Sequence, residues 1–330
     1  MRVPFDQLHD TLRRALLATG LEPDRADLSA RLFAETSRDG VASHGLNRFP
    51  RFMRMIARGV VDVRARPERI AAHGALERWD GHGGPGNLNA WEAMTRAIAL
   101  GREHGAGCVA LGNTNHWMRG GTYGWQAAEA GLVGICWTNT LANLPPWGAA
   151  DPRVGNNPLI IAVPREAGHV VLDMAMSQFS VGTLASYRLR GEPLPVDGGY
   201  DSGGTLTRDP AAIEASGRLL PSGFWKGSGL SLVLDLVAAL LSAGRATHEI
   251  PLEPELETGL SQVFLTLDPS AMPGQDAGLA DRVIDHLHAG AGDVRYPGER
   301  TLETRRQSLR DGVPVDPTIW ADVQSGNYGT

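Results

Sequence analysis

From about residue 60 onward, short apolar runs alternate with helical stretches, and that alternation constrains the fold more than any other feature of the chain. The runs VVDV (60–63), RIAAHG, LERWD, GCVALG (107–112), LVGICWT (132–138), NPLIIAVP (157–164), HVVLDMAM (169–176) and QVFLTLD (262–268) have the length and apolar content of strands. Between them, 87–104, 122–130, 180–190, 228–243 and 277–289 read as helices, with two shorter ones after 300. Interleaving of this kind puts the chain in the α/β class and by itself predicts a parallel sheet. The first sixty residues differ. Phe5, Leu8, Leu12 and Leu16 recur at helical spacing, with Gly20 placed to end that helix. Pro23 suits the start of a second helix to about Gly40, and a third is expected from about Phe49 to Gly59. Residues 191–222, rich in Gly, Pro and Asp, read as one long ordered loop.

A chain of 330 residues has ample sequence for one large domain or two. Its net charge is −6, and its 31 basic residues are dispersed without a like-charge run, which argues against a nucleic-acid surface. The two cysteines, Cys108 and Cys136, lie in apolar strand-like stretches and read as buried reduced thiols, as suits the cytoplasm. The N-terminal MRVPFDQLHDTLRRALLATG lacks the apolar centre of a signal peptide. LSLVLDLVAALLSA (230–243) carries Asp235 and is too short to span a bilayer. The expectation is a cytoplasmic protein with no membrane partner. No metal is expected: HExxH and CxxC are absent, and His286 and His288 at i,i+2 on a helix point to different faces. G-x-S-x-G is absent as well.

Five stretches could carry chemistry. In VASHGLNRFPRF (41–52), His44 and Arg48 would share a face if 44–48 formed one helical turn, with a break near Pro50. An imidazole exchanges protons near neutral pH and a guanidinium grips a carboxylate with two prongs, which is what reduction of a 2-keto acid requires. A capping histidine and a solvated arginine would read the same way. GNTNHWMRGGTYGW (112–125) places Asn113, Thr114, Asn115, His116 and Arg119 after a strand, with Gly120 and Gly121 open to close ligand approach. WTNTLANLPPWG (137–148) places Thr138, Asn139 and Thr140 after another strand, followed by a stiff segment ending at Trp147 and Gly148. Asp173 sits inside an apolar strand, where an acid needs a partner. GFWKGSG (223–229) opens a helix whose N–H groups, with Lys226, could meet a phosphate. The G-x-G-x-x-G at 81–86, GHGGPG, has the spacing of a dinucleotide fingerprint, but the strand before it is short and polar and Pro85 lacks an N–H. It reads as a turn before a helix.

SHGLNRFPRF (43–52), NHWMRGGTYGWQAAE (115–129) and GICWTNT (134–140) resemble the malate/L-lactate dehydrogenase family that lacks a Rossmann fold. PPWG (145–148), DMAMS (173–177), LPVDGG (194–199) and WKGSG (225–229) extend the likeness, which runs from the first helix to about residue 320. The resemblance implies an α/β (α+β) fold with a large, predominantly antiparallel sheet flanked by helices. It implies a helical N-terminal piece, 1–72, packing with 300–330, and a sheet-containing region, 73–299, that binds cofactor and substrate. It also implies a homodimer and reduction of a 2-keto sugar acid such as 2,3-diketo-L-gulonate with NAD, or NADP, in its reduced form, and no metal. His44 would be the proton donor. Arg48, His116 and Thr140 would surround the substrate. The cofactor segments would be His169, Val170, Val171, Leu172, Asp173, Met174 and Ala175, then Trp225 and Lys226, then Gly298, Glu299 and Arg300. The last segment reads Pro-Gly-Glu-Arg where the keto-sugar branch reads Pro-Gly-His-Glu, which leaves NAD against NADP open. The same chemistry on malate, lactate, ureidoglycolate or a cyclic imino acid is the first alternative. A non-catalytic ligand-binding relative is the second.

Overall fold

The computed structural model describes residues 1–274, 276, 278–290 and 292–329. A short strand β1 (Arg2–Val3) leads into helices α1 (Phe5–Ala18), α2 (Pro23–Arg38) and α3 (Phe49–Ala57). Leu8, Leu12 and Leu16 form the buried stripe of α1 that their spacing predicts, and Gly20 turns away beyond its end with φ +86°. Pro23 and Pro50 each sit in the first turn of their helix, where a missing N–H leaves no broken bond. VVDV is not a strand. The N–H groups of Val60 and Val61 donate to Met55 O at 2.9 and 3.3 Å, so the C-terminal turn of α3 claims the donors that a sheet would need.

The chain then runs through β2 (Glu68–His73), β3 (Leu76–Asp80), α4 (Gly86–His104), β4 (Ala106–Asn115), α5 (Gly121–Glu129), β5 (Val133–Thr138), β6 (Leu159–Val163) and β7 (Val170–Met174). It continues as α6 (Val181–Arg190), β8 (Gly199–Tyr200), β9 (Leu206–Thr207), α7 (Pro210–Ser216), α8 (Trp225–Ser242) and β10 (Thr258–Leu267). The stretch 191–222 is therefore not plain loop: β8 and β9 pair, and Asp209 caps α7. The chain ends with α9 (Leu279–His288), α10 (Glu299–Asp311), β11 (Val313–Pro314) and α11 (Pro317–Ser325).

Seven strands form one sheet in the order β2-β3-β4-β10-β5-β6-β7. Five of its six pairings are antiparallel, and only β3–β4 is parallel. The parallel sheet suggested by alternation alone is thus wrong, while the antiparallel sheet implied by the resemblance is found. The reason is β10, which comes from far along the chain and inserts between β4 and β5, running opposite to both. On one face of the sheet α4 and α5 bury Met94, Trp117, Tyr123 and Phe264, and on the other α8 buries Leu234 and Ala238 against Trp137 and Val263. A third core joins α1, α2 and α3 to α11, with Phe33 edge-on to Phe49 at 5.2 Å and Trp320 buried beside them. Antiparallel pairing of β1 with β11 closes the same part of the molecule. Each such side chain contributes about 1.5–3 kcal/mol of burial free energy.

GHGGPG lies between β3 and α4, inside the one parallel βαβ unit of the sheet. Its donors are already used: the N–H groups of Gly81, Gly83 and Gly84 bond to Gly112 O, Asn113 O and Gly81 O, and that of His82 bonds to Asp80. A phosphate has no cradle there. Gly86 serves packing, since a Cβ on it would lie 2.2 Å from Asn115 O and 2.3 Å from His116 O. Gly86→Ala is expected to cost about 1–3 kcal/mol through overpacking, read as a lower urea midpoint, and to disturb the His116 loop. An unchanged midpoint would contradict the contact.

Helix α8 is long and apolar enough to cross a membrane by length and composition, longer than the apolar run suggested. Its Asp235 is buried and accepts from Asn139 Nδ2 at 2.8 Å and Thr247 N at 3.0 Å, which fixes one face on the sheet. The opposite face leaves Leu232, Val233, Leu236 and Leu240 exposed, the last at 77 %.

Candidate active site

His44 and Arg48 do not share a helical turn. Two 3₁₀ turns, Ala42–His44 and Leu46–Arg48, flank Gly45, whose φ of −96° and ψ of −127° break any continuous helix. The Leu46 N–H donates to Ser37 Oγ at 2.8 Å, and a Cβ on Gly45 would lie 2.2 Å from that oxygen, so the loop is pinned to α2. The His44 ring stacks on His116 at 5.8 Å with 22° between planes, and Ser43 Oγ lies 2.9 Å from His44 Nδ1. The Met118 N–H donates to His116 Nδ1 at 3.0 Å, which leaves the proton of a neutral His116 on Nε2. Burial, then the charges of Arg48, His44 and Arg51, push the His116 pKa well below its ordinary value. Burial, then Arg48 and Arg119, lower His44 to about 4. Both imidazoles are therefore neutral near pH 7.

Arg48 is lowered to about 10 by burial and by Arg51, with Glu257 acting the other way. Its Nη2 lies 3.6 Å from Glu257 Oε2, and the Glu257 side chain is only 5 % exposed. Glu257 also accepts from Leu141 N at 3.3 Å. Thr140, next to Leu141, donates its hydroxyl to Asn156 Oδ1 at 3.0 Å and its N–H to Asn157 Oδ1 at 3.0 Å. The loop before β10 thus brings the His44–Arg48 loop and Thr140 to one cleft, with His116 stacked beneath. Glu257 was not singled out in the sequence. A signal existed: Arg48, Arg51, Arg54 and Arg58 repeat at helical spacing, and Glu253, Glu255 and Glu257 repeat at every second position. In the fold the two series meet, with Arg54 on Glu255 at 2.7 Å and Arg58 on Glu255 at 2.9 Å.

Behind the cleft, Asp39 gathers three arginines. Arg119 Nη1 lies at 2.8 Å, Arg305 Nη2 at 2.8 Å and Arg38 Nε at 2.9 Å. Burial alone would raise the Asp39 carboxyl, but the Arg305 hydrogen bond and the charges of Arg119 and Arg38 outweigh it and hold it at about 2. Asp173 accepts the Gly121 N–H at 2.9 Å at the start of α5, which gives the acid in the apolar strand its partner. Burial raises its pKa against Arg119 and that N–H, while 32 % of its side chain remains open to solvent.

The sequence pattern of the malate/L-lactate dehydrogenase family matches residues 3–324. The chain belongs to that family. It is an oxidoreductase, and the family's chemistry calls for a nicotinamide cofactor. A 2,3-diketo-L-gulonate reductase of Citrobacter koseri is 47 % identical over 98 % of this chain and 100 % of its own length. The solved delta1-piperideine-2-carboxylate reductase of Pseudomonas syringae superposes with a TM-score of 0.89 at 31 % identity, over 98 % of this chain and 99 % of the other. A solved dehydrogenase from Sinorhizobium meliloti does so with 0.89 at 26 %, over 100 % and 98 %.

In this family member, the segments expected to hold cofactor lie along β7. Gly298 packs at its start: a Cβ there would be 3.1 Å from Val171 N, and Val171 N donates to Pro297 O at 2.8 Å. Trp225 and Lys226 lie past its far end, where Ser222 N donates to Met176 O at 2.8 Å. The two groups are roughly 17 Å apart along the strand. One expectation fails. The first N–H groups of α8 are not free for a phosphate, because Lys226, Gly227 and Ser228 donate to Gly223, Ser222 and Phe224 carbonyls. Trp225 itself is 66 % exposed. Arg119 Nε, 3.8 Å from Asp173 Oδ2, and Trp125 Nε1 are buried without a hydrogen-bond partner among the described residues, and both border β7. Such donors fit a ligand that carries hydrogen-bond acceptors along this track. Glu299 accepts Tyr296 N at 3.2 Å and so caps the turn before α10, while Arg300 is exposed.

Proposed function

We propose that the chain reduces the 2-keto group of 2,3-diketo-L-gulonate, or of a similar keto sugar acid, with NADH or NADPH. The observation that carries this reading is the His44–His116 stack set beside Arg48, with Arg119 acting on His44 from one side and reaching Asp173 of β7 on the other. The name of the 47 % identical relative supports the substrate. The residues His169–Ala175, Trp225, Lys226 and Gly298–Arg300 would hold the nicotinamide dinucleotide, which when bound supplies the hydride. Lys226 is the only lysine among the 31 basic residues, and it stands at that track.

The protein's own part is orientation and proton supply. Arg48 grips the carboxylate, and the Nε2–H of His116 donates to the carbonyl side of the substrate. His44 protonates the oxygen as the carbonyl carbon is reduced. The N–H of a neutral imidazole is far too weak an acid to protonate the oxygen, so the pKa of His44 must rise on binding for the imidazolium to form. Two of its depressing causes, Arg48 and Arg119, are positive charges, and a bound carboxylate at Arg48 offsets the first. Arg48→Ala is expected to raise KM by about 10–100-fold with a smaller change in kcat, from initial rates. An unchanged KM would remove Arg48 from the clamp.

We further infer a homodimer, with the exposed apolar face of α8 (Leu232, Val233, Leu236, Leu240) covered by a second copy. Sedimentation of a monomer would contradict it. The function itself is tested by following oxidation of NADH and of NADPH with 2,3-diketo-L-gulonate, pyruvate, oxaloacetate, a ureidoglycolate-type keto acid and a cyclic imino acid. A kcat/KM highest for the keto sugar acid is expected. A higher value for another member reassigns the substrate. Absence of both turnover and nicotinamide binding would make the chain a ligand-binding relative.

A further inference from the structure

We propose that Glu257 sets the charge of the substrate, restricting the cleft to keto acids with one carboxylate and a neutral tail. This rests on the keto-acid reductase reading and deepens it. Glu257 is buried 3.6 Å from Arg48, and it also acts on Arg51, whose guanidinium bonds to Pro254 O. The neighbouring cations are already matched: Arg119, Arg38 and Arg305 lie against Asp39, Asp173 and Glu35, and Arg54 and Arg58 against Glu255 and Glu253. Arg48, Arg51, Arg54 and Arg58 thus face Glu253, Glu255 and Glu257, four cations against three carboxylates, which leaves a single positive charge for the substrate. One substrate carboxylate balances it. A second would meet Glu257 at short range in a poorly solvated cleft, with no cation left over, and like charges there repel strongly.

The adjoining wall also offers acceptors rather than donors. Asn143 donates its Nδ2 to Asn156 Oδ1 at 3.2 Å, and Asn156 Oδ1 accepts Thr140 Oγ1. Asn143 Oδ1 is left buried with no partner among the described residues. An unpaired acceptor welcomes a hydroxyl of a neutral, hydroxylated tail and rejects a carboxylate.

The test compares oxaloacetate with the monocarboxylic keto acid that the wild-type enzyme reduces best, as the ratio of their kcat/KM values. The wild type should favour the monocarboxylic acid. Glu257→Gln should raise the oxaloacetate ratio by at least about tenfold, mostly through KM, whereas Glu257→Asp, which keeps the charge, should hold the wild-type ratio. A Glu257→Gln ratio within about twofold of wild type, with the monocarboxylic acid still reduced, overturns the assignment and leaves the keto-acid reading intact. A wild type that prefers oxaloacetate overturns it too. A wild type that reduces no keto acid overturns both. Should Glu257→Gln lose turnover altogether, equilibrium binding of tartronate against oxamate to the NADH-loaded protein reads the same preference. The same tenfold shift toward the dicarboxylate is expected there, and an unshifted ratio counts against the proposal.

Discussion

His44→Ala is expected to lower kcat for keto-acid reduction by about 10²–10⁴-fold while nicotinamide binding stays at the wild-type level. The imidazole stacks on His116 and lies in the fields of Arg48 and Arg119, but it is not part of β7, along which the segments proposed to hold cofactor lie. Stopped-flow turnover and fluorescence titration with NADH separate the two effects. The pH profile gives a second reading. The His44 pKa is lowered to about 4, so in the free enzyme the imidazolium that reduction needs shrinks about tenfold per pH unit above that value. The kcat/KM for reduction should therefore fall as pH rises through neutrality. The kcat/KM for the reverse oxidation, which needs the neutral base, should be level there. His44→Ala should abolish the difference in slope. Wild-type turnover in the variant, or the same slope, would assign the proton to another group.

Asp39→Asn is expected to destabilise the fold by about 3–5 kcal/mol, because it strands three arginines around a site that keeps its volume but loses its charge. Against a typical total of about 5–15 kcal/mol, that loss is large enough to unfold much of the protein at moderate urea. Asp39 ends α2, Arg305 lies on α10 and Arg119 precedes α5, so the carboxylate ties both ends of the chain to the His116 loop. The folded pKa of about 2 lies below the ordinary 3.8, so the stabilisation is present above about pH 4 and is lost as pH falls toward 2. That shift corresponds to about 2 kcal/mol, and Asp39→Asn should show none of this acid dependence. A urea midpoint equal to wild type would mean that the arginines find water or other partners at no cost.

Much of the site was legible because its chemistry sits in short contiguous runs. SHGLNR and NHWMRGG each keep imidazole and guanidinium close in sequence, and glycines flank both. Other parts were not. Gly45 breaks the turn that would have aligned His44 with Arg48, because Ser37, eight residues earlier, takes the Leu46 N–H. GHGGPG has the spacing of a phosphate loop, yet its N–H groups bond to β4 and to the turn itself. The start of α8 looked like an anion site until its first donors proved to be bonded locally.

By itself, the sequence determined most helices and strands to within a few residues, from the periodicity of apolar side chains, with VVDV and the 191–222 stretch as exceptions. It also determined, through long motifs rich in Trp, His and Gly, the family to which the chain belongs. Only the tertiary structure decided strand direction, since hydrogen bonds between β10 and its neighbours β4 and β5 depend on which segments meet and not on their composition. The same holds for charge. Glu257 lies 209 residues from Arg48, and Asp39 lies 266 from Arg305. Coulomb energy depends on separation in space, so the periodic Arg and Glu series hint at a match, but only the fold fixes which residues pair.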